Sequence, residues 1–176
     1  ATTLVAKLAR NKDLRQAATA SAVLVPIHFK VHWYMMGAFR TPGGQWRGVV
    51  FDSLPSSGKR DHKRSWMWLS RALHKVEDRQ AEECPLSLAE AYCEQRNGSD
   101  CGVFAVESVL QLLRRPDVRK IAGSTGRVRA DFVNSAHVSY RRQQVVELID
   151  LFSHGGVTPE SHRAQIGALL RSEPPE

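Results

Sequence analysis

Gln95-Arg96-Asn97-Gly98-Ser99-Asp100-Cys101-Gly102-Val103-Phe104 closes a polar, turn-rich segment and opens onto an apolar run through Val106, Val109, Leu110, Leu112 and Leu113. Asn97-Gly98 is a turn dipeptide, and Ser99 or Asp100 stands where it caps the helix that follows. Cys101 then falls at or near the first turn of that helix, where free backbone N–H groups favour a negative charge. Gly102 beside it leaves room for another backbone to approach. A cysteine in this setting is a candidate nucleophile, although a small residue buried at a helix start fits the same letters.

Two upstream stretches supply possible partners. Val25-Pro-Ile-His-Phe-Lys-Val-His-Trp33 is a β-like segment with a histidine near its far end, and Val49-Val-Phe-Asp-Ser-Leu54 is a second whose apolar run ends at Asp52. Gly43-Gly44 between them reads as a hairpin turn, which would set His32 and Asp52 on adjacent strands. His28 and His32 are four residues apart, so in one continuous strand they share a face and periodicity alone does not choose between them.

His32-Trp33, Phe51-Asp52-Ser53-Leu54 and Gln95-x-Asn97-Gly98-Ser99-Asp100-Cys101-Gly102 together resemble the Ulp/SENP-type ubiquitin-like-protein-specific cysteine proteases. That family is of clan CE and is related to the adenovirus protease and to bacterial deconjugating effectors. The matching residues run from about Val23 to Leu113, in the family's order of His, Asp, Gln and Cys. The resemblance implies an α+β, papain-like or adenain-like fold: a central mixed sheet carrying His and Asp, flanked by helices, with the nucleophile at a helix N-terminus. It implies Cys101 as nucleophile, His32 as the base because it directly precedes tryptophan, Asp52 as the orienting acid and Gln95 as oxyanion donor. Trp33, with Gly102, would line the narrow passage for a modifier's glycine-rich tail. No cofactor and no metal are implied.

The function implied is removal of a ubiquitin-like modifier, SUMO ahead of ubiquitin, after its C-terminal Gly-Gly, from precursors or lysine conjugates. Two other classes fit some of the letters. Related bacterial effectors use a similar Cys-His-acid site as acyltransferases, aided by an anionic inositol phosphate. A non-catalytic module binding nucleic acid or a modifier would use the basic charge alone. Family members also carry a Trp-Leu-Asn-Asp-like helical segment upstream of the His strand. No tryptophan precedes Val23, so this recognition segment is expected to be short or missing.

The 176 residues suit one domain, with 42% hydrophobic and 24% charged residues typical of a globular chain. No apolar run approaches a membrane span, and no secretory signal is legible. Ala1 is not a translation start, so the chain reads as processed or excised. Three cysteines (Cys84, Cys93, Cys101) do not make a disulfide framework, and point to a reducing compartment. Nucleus or cytoplasm, or those of a host for a secreted effector, would satisfy that. Lys plus Arg number 25 against 18 Asp plus Glu, clustered at Lys59 to Arg64, Arg114-Arg115, Arg119 to Arg129 and Arg141-Arg142. The clusters suit an anionic partner or simply solvated faces.

Along the chain, Ala1 to Ala22 reads as one or two short helices, Val23 to Ala38 as a long strand and Trp46 to Ser53 as the next. Leu54 to Lys63 reads as a loop, Arg64 to Arg79 as a helix and Pro85 to Cys93 as a strand on the family resemblance. Cys101 to Leu113 is the nucleophile helix, stopped at Pro116. Asp131 to Ala136 reads as a linker or short turn, Val138 to Phe152 and Pro159 to Leu170 as helices, and 172–176 as a frayed tail.

Overall fold

The computed structural model describes residues 19–54, 59–80, 83–125 and 127–153, with positions 164, 167–168 and 171–172. The expected N-terminal helices lie almost wholly outside these residues, as do most of the expected last helix and the tail. Four strands form one mixed sheet in the order β1 (Ala22–Phe29), β2 (His32–Arg40), β3 (Trp46–Phe51) and β4 (Leu86–Leu88). The first three are antiparallel neighbours, and β4 runs parallel to β3.

The expected long strand is in fact a hairpin. It folds at Lys30-Val31, where Lys30 takes φ 56°, and pairs Phe29 with His32 and His28 with Trp33. No Gly, Asn, Asp or Pro announces this turn, and Lys30 bears a left-handed conformation worth about 1–2 kcal/mol because eight paired rungs hold it there. The β2–β3 connection forms where expected, at Gly43-Gly44. Gly44 has φ 81° and its N–H donates to the Thr41 carbonyl at 2.9 Å.

The sheet is covered on both sides. Tyr34, Met36, Ala38, Trp46 and Val50 face helix α1 (Lys59–Val76), packing on Trp66, Leu69 and Leu73. Met35, Phe39, Val49 and Phe51 face the other way, onto helix α2 (Cys101–Arg114) through Phe104, Ala105 and Leu112, with Ala122 of helix α3 (Pro116–Thr125). The alternation of a strand thus serves two cores, and β2 is buried from Tyr34 to Phe39. Helix α1 begins five residues earlier than the sequence suggests. Lys63 and Arg64 lie on its solvent face, and Asp61 in its first turn complements the N-terminal dipole. Pro116 stops α2 as expected and, one residue later, opens α3, where its missing N–H costs nothing. Helix α4 (Ser135–Ser153) starts inside the stretch read as a linker.

Candidate active site

The register that pairs Met35 with Phe51 carries Asp52 back to the beginning of β2, where His32 stands. Asp52 is 4% exposed, and its Oδ1 lies 2.6 Å from His32 Nε2. The same oxygen accepts the Leu54 N–H at 2.8 Å, and Oδ2 lies 2.7 Å from His62 Nε2. Burial works to raise the Asp52 carboxyl, but hydrogen bonds from His62, the Leu54 N–H and His32, with the attraction of His32, outweigh it and hold the group below its ordinary value. Because Asp52 occupies Nε2 of His32, Nδ1 is the ring nitrogen left for a second partner.

Cys101 is the first residue of α2 and is buried. The turn before it is organised by Asn97. Asn97 Oδ1 accepts the N–H of Ser99 at 3.1 Å and of Asp100 at 3.0 Å, while its amide donates to Asp100 Oδ2 at 2.7 Å. Asp100 is the N-cap residue by position, yet its carboxylate caps no helix N–H. Asn97 and the Arg142 guanidinium take it instead, so neither Ser99 nor Asp100 provides the expected side-chain cap. Deeper in, the Tyr92 hydroxyl donates to the Phe104 carbonyl and pairs with Ser108 Oγ, bracing the first turns of α2. Burial pushes that phenol up, so it stays neutral.

Gln95 is buried beside the strand end that holds Asp52. Its N–H donates to the Ser53 carbonyl, and its Oε1 accepts the Ser53 hydroxyl at 2.7 Å. Its Nε2 donates one hydrogen to the Asn97 carbonyl at 2.5 Å, and the second amide hydrogen remains as donor capacity. Trp33 is 39% exposed on the face of β2 opposite His32. A Cβ placed on Gly102 would meet the Trp33 ring at 3.6 Å, so the first turn of α2 lies against this indole. What approaches Gly102 is an aromatic side chain rather than the backbone expected. His28 stacks on Trp33 at 4.6 Å between ring centroids. His28 and His32 occupy adjacent rungs of the hairpin and point to opposite faces, contrary to the single-strand expectation.

The Ulp1 protease family, C-terminal catalytic domain, matches residues 3–152 of this sequence. The chain belongs to the Ulp1 protease family. It is therefore a cysteine-type peptidase specific for ubiquitin-like proteins, of the Ulp/SENP type. No curated protein sequence matches it closely enough to add a relative. The sheet with flanking helices is the α+β arrangement expected of this family.

Two side chains bonded to the candidate residues are not legible in the sequence. His62 sits in what reads as a basic loop, and only a histidine inside a Lys/Arg run hints at an inward position. Ser53, although within the Asp52-Ser53-Leu54 element, carries no signal of a role in the sequence. It holds both the backbone and the side chain of Gln95. Several basic residues expected to face a partner are consumed within the fold. Arg141 is fully buried, with its Nε 2.8 Å from Glu107 Oε2, and Arg115 lies over the Phe132 ring. The three cysteines form no disulfide. Among the described residues no helix is long and apolar enough to cross a membrane.

Proposed function

We propose that this peptidase releases SUMO, in preference to ubiquitin, by cleaving after the modifier's C-terminal Gly-Gly, with Cys101, His32, Asp52 and Gln95 as its working residues. The Cys101 thiolate attacks the carbonyl carbon of the terminal glycine. The C–N bond to the lysine amine or downstream peptide breaks, and the His32 imidazolium gives its proton to the leaving amine. Water then opens the thioester, with His32 as base, and frees the modifier's carboxylate. Asp52 keeps Nε2 protonated and the ring aimed, and Gln95 with the Cys101 backbone N–H holds the oxyanion.

The observation that carries this reading is the 2.6 Å His32–Asp52 bond, beside a helix that begins with Cys101 and lies against Trp33 at Gly102. The Trp33 indole lying against Gly102 beside Cys101 suits residues without side chains, which supports a Gly-Gly tail. Any anionic contact would fall on the exposed Lys63, Arg64, Lys120, Arg127 and Arg129.

The test is a series of C-terminal aminocoumarin derivatives of SUMO, ubiquitin and other ubiquitin-like proteins, with and without the terminal Gly-Gly. Release from SUMO should exceed release from ubiquitin by at least about tenfold in kcat/KM, and Gly-to-Ala tails should be refused. Equal or faster release from ubiquitin removes the SUMO preference. No release from any modifier, with acetyl transfer from acetyl-CoA to a protein acceptor, replaces hydrolysis by the acyltransferase reading.

A further inference from the structure

Asp52 offers two carboxylate oxygens, and each is met by a histidine. Oδ1 faces His32 at 2.6 Å, and Oδ2 faces His62 at 2.7 Å. His62 is 2% exposed in the first turn of α1, so its imidazole is not a surface group that happens to reach inward. Its ring stands edge-on to Tyr34 at 4.7 Å and 71°, and the Tyr34 hydroxyl is tied to Ser65 Oγ at 2.8 Å, one helical turn further on. The ring is therefore fixed by packing before it touches the carboxylate. A strand-end aspartate otherwise has freedom about χ1 and χ2. With one oxygen held from α1 and the other by the Leu54 N–H, that freedom is gone.

We propose that His62 is a positioning residue of the hydrolytic site: its neutral imidazole donates Nε2–H to Asp52 Oδ2, locking the carboxylate so that Oδ1 is presented to His32. The proposal rests on the catalytic reading of Cys101, His32 and Asp52 given above. A neutral ring is required, because a cation at His62 would compete with the His32 imidazolium for the same negative charge. The hydrogen bond from His62 also helps keep the Asp52 carboxyl ionised. The groups facing this cluster are His32 and Tyr34 from β2, Asp61 and His62 from α1, and Tyr92 ahead of α2. Lys30 approaches Asp61 at 4.0 Å. Tyr34 and Tyr92 are both raised by burial and stay neutral.

The test compares His62→Ala and His62→Gln with the wild type, in wild-type and Asp52→Asn backgrounds, on the best modifier–aminocoumarin substrate, with folding checked by circular dichroism. In the wild-type background His62→Ala should lower kcat about 10–100-fold, the worth of one hydrogen bond to a charged group, with KM nearly unchanged. Its acid limb should move to higher pH, since Asp52 protonates sooner. His62→Gln, which returns an N–H donor, should recover most of kcat. In the Asp52→Asn background His62→Ala should cost little more, because there is no carboxylate left to aim. Unchanged kcat in a folded His62→Ala protein overturns the proposal. So does an equal loss in both backgrounds, or a loss without movement of the acid limb. If His32→Ala keeps wild-type turnover, the catalytic reading itself fails, and the proposal with it. That outcome is distinguishable because it involves no change at His62.

Discussion

At the scale of single residues, the chemistry gathers on Asp52, which is buried, ionised and bonded through both oxygens. A carboxyl held below 3.8 stabilises the folded state fully above its unfolded value and progressively less as pH falls toward its folded value. The stability difference between wild type and Asp52→Asn, measured by urea unfolding from pH 6 to 3, should therefore shrink as pH drops below about 4. A difference independent of pH would show that Asp52 is not held as an ion. The residues with a motif were legible in sequence. His32 and Asp52 flank a glycine turn at strand ends, and the structure puts them in contact. His62 and Ser53 were not, because a hydrogen bond across 10 or 42 positions leaves no periodic trace.

At the scale of elements, local chemistry decided what could be read. The Gly43-Gly44 hairpin and the α2 helix follow from turn residues and apolar spacing. The Lys30-Val31 turn does not, since its strand pairing supplies what the turn sequence lacks. The early start of α1 was hidden by charges that suit a loop or a helix face equally. Helix α3 packs closely on the sheet: a Cβ on Gly123 would fall 2.3 Å from the Arg40 carbonyl oxygen, a backbone atom that cannot turn aside. Gly123→Ala should thus cost about 1–3 kcal/mol as overpacking. Gly98→Ala, with nothing within 4 Å of the added methyl, should leave chemical denaturation unchanged within about 0.5 kcal/mol. Equal midpoints for the two variants would mean that α3 does not press on the end of β2.

For the whole molecule, one sheet holds together groups that face opposite ways. His32, Asp52 and His62 belong to the α1 side, whereas Trp33 belongs to the α2 side, and His32 and Trp33 adjoin at the hairpin end of β2. Helix α2 is tied to α4 by the buried Glu107–Arg141 pair and by Arg142 on Asp100, so the start of α2 is braced from a third direction. Both ions of that pair are fully buried, and losing either would strand a charge worth about 3–5 kcal/mol. The basic clusters at Arg114-Arg115 and Arg141-Arg142 are thus partly scaffold, which composition alone does not distinguish from a binding surface. The central claim is that Cys101 is the thiol this scaffold presents to a modifier's C-terminus. Its most direct test is intact-mass and peptide mapping after incubation with SUMO carrying a C-terminal propargylamide. One SUMO should add to the wild type at Cys101, none to Cys101→Ala, and addition should persist in Cys84→Ala and Cys93→Ala. Adduct formation that survives Cys101→Ala and disappears in Cys93→Ala would contradict it.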